Sequence, residues 1–328
     1  MQELKITMLG ASGVGKTTLL TVMYEQFESC IDAVNLQLTP DNDTSAILQE
    51  RLAELKSLLN QFTAKGRVGI EGTEALAGPQ SLQPYVLDIG KIGKEPSLRL
   101  SFHDFPGIYL SSNASSEEKE FVNSLIEKSS VILIAIDAPA LMERSGKYHD
   151  LINKPQAIKD YFKKNLKSLQ NPKMVIFAPV KCEKYLQTPQ KTQELIDAIR
   201  KGYSNLIKYF QSSELNPWIV SILTPVQTVG EVIFYRIEED SNGNPKFSFR
   251  KTKADAKYNP KDSEQPLRYI LRFLLKLHID GRQWKYLNFI RNWLGLDKEL
   301  KEAVEEFAKG CKTTDGFTIM QGDKWINI

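Results

Sequence analysis

Cysteine is scarce and scattered in this 328-residue chain, which has only Cys30, Cys182 and Cys311. They lack metal-ligand spacing and cannot all pair within one chain, which argues against a disulfide framework or a zinc module and for a reducing, cytoplasmic setting. No apolar run approaches the ~18 residues of a membrane span. The strand-like pattern begins by Leu4, leaving no room for a secretory signal before it. Neither sign of charge dominates, with 43 Lys and Arg against 40 Asp and Glu. Only a local patch, not a general basic surface, is left to carry nucleic-acid binding. Internal repeats and low-complexity tracts are absent too. A composition of 41% hydrophobic and 25% charged residues is ordinary for a globular chain and excludes a disordered or fibrous one. The length exceeds a typical domain of about 100 to 200 residues, so one large domain with an appendage is expected.

What is present starts near the beginning. Gly10-Ala11-Ser12-Gly13-Val14-Gly15-Lys16-Thr17 fits the phosphate-binding pattern G-x-x-x-x-G-K-[ST] at every fixed position. An alternating apolar strand, residues 4–9, precedes it, and residues 18–24 continue with helical spacing. The glycines let consecutive N–H groups at a helix start converge on phosphate oxygens. Lys16 adds a point charge at the β- and γ-phosphates, and Thr17 offers a hydroxyl to Mg²⁺. Gly10, Ser12, Gly13, Val14, Gly15, Lys16, Thr17 and Thr18 are therefore the candidate nucleotide-binding residues.

Further along, residues 41–62 read as a helix capped by Asp41, Asp43 or Thr44. Residues 65–84, rich in Gly, Ala, Gln and Pro, read as a mobile connection. Strands at 85–89 and 97–104 form an expected hairpin. The apolar runs 131–136, 174–178 and 218–223 suit parallel strands buried on both faces. Helical stretches near 117–128, 156–169 and 190–210 lie between them. Alternating strands and helices predict a three-layer, mostly parallel, doubly wound sheet. Residues 231–258 carry a second expected hairpin, decorating the sheet's edge, and 266–277 a closing helix.

A phosphate loop alone does not choose a nucleotide or a reaction. Asp104-Phe105-Pro106-Gly107 fits D-x-x-G at a strand end. There Asp104 can hold Mg²⁺ through a water, and the Gly107 N–H can register the γ-phosphate. Pro179-Val180-Lys181-Cys182-Glu183 resembles a degraded N-K-x-D. In that motif the Lys stem lies over the base and the carboxylate accepts two hydrogens from guanine, a pair adenine lacks. Val180 replaces the Asn, and Glu183 the Asp. A solvated Lys-x-Glu at a strand end is the competing reading. Thr224-Pro225-Val226-Gln227-Thr228-Val229-Gly230 follows the last core strand and is a weak candidate for a base-contacting loop, with Thr224 as its first residue.

This order of motifs resembles the translation-factor-related (TRAFAC) class of P-loop GTPases, with a small-GTPase-like G domain, over roughly residues 4–277. The insertion before the D-x-x-G strand and the T-P-V-Q-T-x-G loop look similar to bacterial double-GTPase-type proteins. The resemblance implies a G domain over residues 1–278, with insertions at about 28–84 and 231–262, and a helical extension and tail over 279–328. It also implies GTP/GDP and Mg²⁺ as ligands, an antiparallel edge strand before the D-x-x-G strand, and a switch threonine covering Mg²⁺. Thr73 is the candidate for that threonine and Thr63 its rival. Such GTPases often place a water-orienting Gln directly after D-x-x-G, whereas this chain has Ile108 and Tyr109. Slow hydrolysis alone is expected, with help from a protein partner, a second G domain or another loop. Strand alternation turns His103 away from Asp104 and favours a structural role for it.

Residues 272–294 mix basic and aromatic side chains, and helices are expected at 284–294 and 298–309, the second capped by Asp297. Packing on the G domain is the first reading, partner docking the second, membrane contact the third. Residues 311–328 read as a flexible tail or an added strand. The expected function is a Mg²⁺-dependent GTPase switch. A P-loop ATPase or nucleotide kinase, or a non-hydrolysing binding module, stands as the alternative.

Overall fold

In the computed structural model, residues 1–30, 35–61, 79, 82–167, 169–241, 243–280 and 298–328 are described. Thr63, Thr73, the expected helix at 284–294 and its neighbour Asp297 lie outside them.

The core is a sheet of eight strands: β1 (Gln2–Leu9), β2 (Leu36–Pro40), β3 (Tyr85–Lys91), β4 (Leu98–Asp104), β5 (Val131–Asp137), β6 (Lys173–Val180), β7 (Ile219–Leu223) and β10 (Thr318–Gln321). Their order across the sheet is β10-β7-β6-β5-β1-β4-β3-β2. β1 runs parallel to both β4 and β5, and β6 and β7 continue the parallel series. Every residue of β5 and β6 is buried, as a strand covered on both faces requires. Successive side chains then serve opposite layers. Val131, Leu133 and Ala135 join α1 (Lys16–Cys30), α9 (Gln265–Asp280) and α10 (Lys298–Lys309) in one core. Ile132, Ile134 and Ile136 join α3 (Ser116–Lys128), α6 (Pro155–Asn165), α7 (Pro189–Gly202) and α8 (Ser204–Phe210) in the other.

Four local features refine the sequence reading. The antiparallel strand before β4 is not the sheet's edge, because β2 pairs outside it; its Leu36-Gln37-Leu38 alternation is too brief to register as a strand. The stretch 190–210 is two helices, not one. They part at Gly202, where a Cβ would stand 2.7 Å from His149 Nε2. Between β5 and α6 the chain inserts α4 (Ala138–Met142) and α5 (His149–Asn153), both of one turn and too short to show a period. β8 (Val232–Glu239) and β9 (Pro245–Lys251) form the expected hairpin, as a two-stranded sheet of its own. Phe234 and Ile237 of that hairpin pack on Ala140 and Tyr148.

Two expectations were met closely. The helix at 41–62 is α2 (Asn42–Gln61), with Asp41 Oδ1 accepting from the Thr44 N–H at 2.9 Å. Of the two alternatives for the tail, the added strand is realised, since β10 pairs antiparallel with β7. All three cysteines are free. Among the described residues no helix is long and apolar enough to cross a membrane.

His103 on β4 turns away from Asp104 into a half-buried setting, with its Nε2 buried and unpaired. Burial, aided by the Lys5 ammonium and opposed by Glu3, pushes its pKa down to about 4. The neutral ring is thus the form that the fold accepts. Folding stability should be level above pH 6.5 and fall as pH drops from 6.5 through 4, because the unfolded chain takes up the proton first. The loss is at most about 3 kcal/mol, reduced by the ring's partial exposure. Urea titrations from about pH 7 to 4 on wild type and His103→Gln should show a flatter profile for the variant; superimposable profiles would remove His103 as the cause.

Candidate functional site

β1 is the strand from which the chain crosses over in both directions, and ligands of doubly wound sheets gather beyond such a switch point. The glycine-rich loop leaves β1 there and enters α1 at Lys16. Gly13 and Gly15 take φ of 75° and 114°, a region that favours glycine. Val14 is buried beneath the loop, Ser12 and Gly13 face solvent, and Thr18 is half-buried in the first turn of α1.

The register sets Met8 of β1 beside Asp104 at the end of β4, so the second motif is delivered to the first. Thr17 Oγ1 donates to Asp104 Oδ2 at 2.6 Å. Lys16 Nζ donates to the Gly10 carbonyl at 3.1 Å and lies 3.5 Å from Asp104 Oδ1. Lys16 is buried, so its charge acts in a poorly screened setting. A hydroxyl and a carboxylate this close form the hard-oxygen corner that Mg²⁺ takes, directly or through water. The residues therefore fit the ion.

Gly107 sits directly on the loop. A Cβ built there would lie 1.9 Å from the Ser12 nitrogen and 2.1 Å from the Ala11 carbonyl carbon, so glycine alone allows this approach. Tyr85 reaches the same corner and was not legible in the sequence. It pairs with Phe102, two residues before Asp104 on the same face of β4, and its phenol is hydrogen-bonded to Thr17. Burial, with the Asp104 charge next, pushes its pKa up to about 12, so the hydroxyl keeps its proton.

The third motif divides. Lys181, at φ 57°, donates to the Gly13 carbonyl at 2.8 Å and to Asp137 Oδ2 at 2.6 Å. Asp137 is buried at the end of β5 and also caps α4 through the Ala140 N–H at 2.8 Å. Its signal in the sequence was only an acid closing an apolar strand before Ala138-Pro139. Glu183, 5% exposed, faces elsewhere. Its Oε1 accepts from the N–H groups of Val229 at 2.9 Å and Gly230 at 3.4 Å, and from Thr228 Oγ1 at 3.5 Å. Burial pushes its pKa up, and those N–H groups pull it back. Thr224 is buried with its Oγ1 unpaired. The N–H groups of Thr224, Val226 and Gln227 are used by the carbonyls of Phe177, Pro179 and Lys261. The structure thus brings Lys16, Thr17, Asp104, Gly107 and Lys181 together around the loop, while Glu183 Oε1 and the Thr224 N–H are engaged within the protein.

No family model matches the chain. No curated protein matches it in sequence. Among solved structures it is similar to the GTPase-like domain of S. cerevisiae Ski7 bound to GTP, at a TM-score of 0.37 and 15% identity over 68% of this chain and 43% of that one. The same domain bound to GDP and inorganic phosphate gives 0.33 and 13% over the same shares. The chain therefore spans less than half the length of those it matches.

Proposed function

We propose that this chain binds a guanine nucleoside triphosphate with Mg²⁺ at the 10–18 loop and hydrolyses it slowly to GDP and phosphate, as a switch read by a protein partner. The carrying observation is the convergence of Lys16, Thr17 and Asp104 on one corner of a glycine-rich loop that opens a helix. Lys16 would pair with the β- and γ-phosphate oxygens, and the loop's N–H groups would hold them in line. Thr17 and Asp104 would hold Mg²⁺, which when bound neutralises charge growing between the two phosphates. Thr73 would be its cover from the preceding segment. Gly107 would register the γ-phosphate, and Lys181 would brace the loop at Gly13 while lying along the base. Residues 1–278 would form the nucleotide-binding unit and 279–328 its extension.

Slow turnover is supported by the two residues after Gly107. Tyr109 is buried and Ile108 is 52% exposed and apolar, so neither orients a water. That exposed side chain on the responding segment is also where a partner would read the switch.

A second reading has its own support. Glu183 Oε1 already accepts from the Val229 and Gly230 N–H groups, so the carboxylate acts as a fastener of that turn, and the loop takes ATP as well as GTP.

Titration with fluorescent GDP, GTP and ATP analogues, with and without Mg²⁺, separates the two. Lys16→Ala should weaken all three by about a hundredfold or more, the scale of losing a buried charge-assisted contact. Under the guanine reading, Glu183→Ala costs GTP and GDP at least about tenfold and spares ATP. Under the fastener reading, Glu183→Ala changes all three alike and lowers the melting temperature. Indifference of binding to Lys16→Ala would sink both.

A further inference from the structure

A chain of hydrogen bonds that ends on the phosphate loop begins in the α4–α5 insertion. Ser12 and Gly13, the outer half of the loop, face solvent, and the Gly13 carbonyl is tied down by Lys181 Nζ at 2.8 Å. Val180 lies under the loop with its Cγ2 3.6 Å from where a Cβ on Gly15 would stand, and a methyl group offers no hydrogen bond. Lys181 reaches Gly13 from a left-handed backbone, φ 57°, which an L side chain keeps only where its surroundings over-determine it. Its side chain is 25% exposed, so water is within reach of the ammonium as an alternative to Gly13. Asp137 fixes the choice. Its side chain is 2% exposed, Oδ2 accepts from Lys181 Nζ at 2.6 Å, and Oδ1 accepts from the Ala140 N–H at 2.8 Å. A buried carboxylate bonded through both oxygens cannot turn, so it aims the ammonium at the loop.

α5 holds Asp137 in turn. The last residue of that helix, Asn153, is 1% exposed. Its Oδ1 accepts from the Asp137 N–H at 2.8 Å, and its Nδ2 donates to the Asp137 carbonyl at 3.1 Å. The same Nδ2 lies 3.1 Å from His149 Nδ1, one turn earlier. This orientation of the amide is the one that gives the Asp137 N–H an acceptor. Both arms of Asn153 thus close on the residue whose carboxylate holds Lys181. We propose that Asn153 and Asp137 are positioning residues for the phosphate loop, through which the α4–α5 insertion sets how long a nucleotide stays bound, a role that rests on nucleotide binding at the 10–18 loop. Neither residue touches the ligand. Lys181 braced on Gly13 keeps the loop in its converged shape before a nucleotide arrives, so less ordering is left to the binding step. The brace acts at Gly13 and not at the γ-phosphate sensor, so its loss should affect diphosphate and triphosphate alike.

Two measurements on the full chain separate this from a merely structural role: the release rates of fluorescent GDP, GTP and ATP analogues, and amide hydrogen exchange of residues 10–15 without nucleotide. Asn caps a helix as well as Asp does, so Asp137→Asn keeps the start of α4. It should speed both loop exchange and the release of every bound analogue about tenfold, the scale of one charge-assisted hydrogen bond. Asn153→Ala should do the same at a lower melting temperature, because it also strips the Asp137 N–H of its acceptor. In a Lys181→Met background each substitution should change loop exchange by no more than about twofold, since the link it acts through is gone. Full effects persisting in that background, or exchange and release indifferent to Asp137→Asn, would overturn the assignment. A wild-type chain that binds none of the analogues removes the proposed function and the effect on release; the loop exchange of Asp137→Asn then decides by itself whether Asp137 positions the loop.

Discussion

Gly107→Ala is expected to separate the D-x-x-G segment from the phosphate loop and to lower stability by about 2 to 3 kcal/mol, the upper part of the range for overpacking. The added Cβ meets backbone, not a side chain that can rotate aside, at 1.9 Å from the Ser12 nitrogen and 2.6 Å from the Ala11 Cα. Since Cβ contacts need about 3 Å or more, one of the two segments must retreat by roughly an ångström. Ser12 and Gly13 face solvent whereas Phe105, Pro106, Tyr109 and Leu110 are buried, so the glycine-rich loop is the side free to give. Its retreat strains the 2.6 Å contact between Thr17, just beyond the loop, and Asp104. Under the proposed function, triphosphate should lose more affinity than diphosphate, because only the γ-phosphate needs the Gly107 N–H. Urea melts with parallel GTP and GDP titrations measure both effects. Unchanged stability would mean that the two loops do not pack in solution as described. An equal loss for GTP and GDP would detach Gly107 from γ-phosphate sensing.

Phe307→Ala should cost about 3 to 5 kcal/mol, the usual range for removing a buried Phe. Phe307 is fully buried on α10, with its ring edge-on to Phe27 of α1 at 4.9 Å and the Arg268 guanidinium 4.2 Å from its centroid. Arg268 also donates to the Phe307 carbonyl at 2.6 Å. α10 thus completes the layer that backs the phosphate-loop helix. One cooperative transition shifted to lower denaturant is the expected outcome. If α10 were a loosely docked appendage, the main transition would stay in place and only amides near residues 298–309 would exchange faster.

These cases mark what a sequence exposes. The geometry of the glycine-rich loop and of D-x-x-G was legible because it lies in the backbone and in adjacent side chains, so spacing alone specifies it. Asp104 and Thr17 meet because β1 and β4 pair in register, which two clean apolar strands already suggest. The surroundings of Glu183 were not legible for the opposite reason. Its partners Val229 and Gly230 are 46 and 47 residues away, and their position depends on the path out of β7, which carries no local signal. Asp137 and Tyr85 were missed likewise, since each becomes a site residue only through a neighbour on another element. α4 and α5 are too brief for any period to show.

The brace from Lys181 to Gly13 joins residues 168 apart in the chain. Ribosomes add about 5 to 20 residues per second, so the glycine loop leaves the exit tunnel roughly ten to thirty seconds before its brace is made. β1, the central strand, likewise waits for both of its neighbours, β4 and β5. Under the proposed function, nucleotide binding should therefore appear abruptly in nascent chains once Lys181 has emerged, with shorter chains leaving an apolar central strand open to chaperones or to aggregation. Stalled chains of increasing length, tested for protease resistance with and without nucleotide, would show that step; a gradual gain beginning before β5 would contradict it.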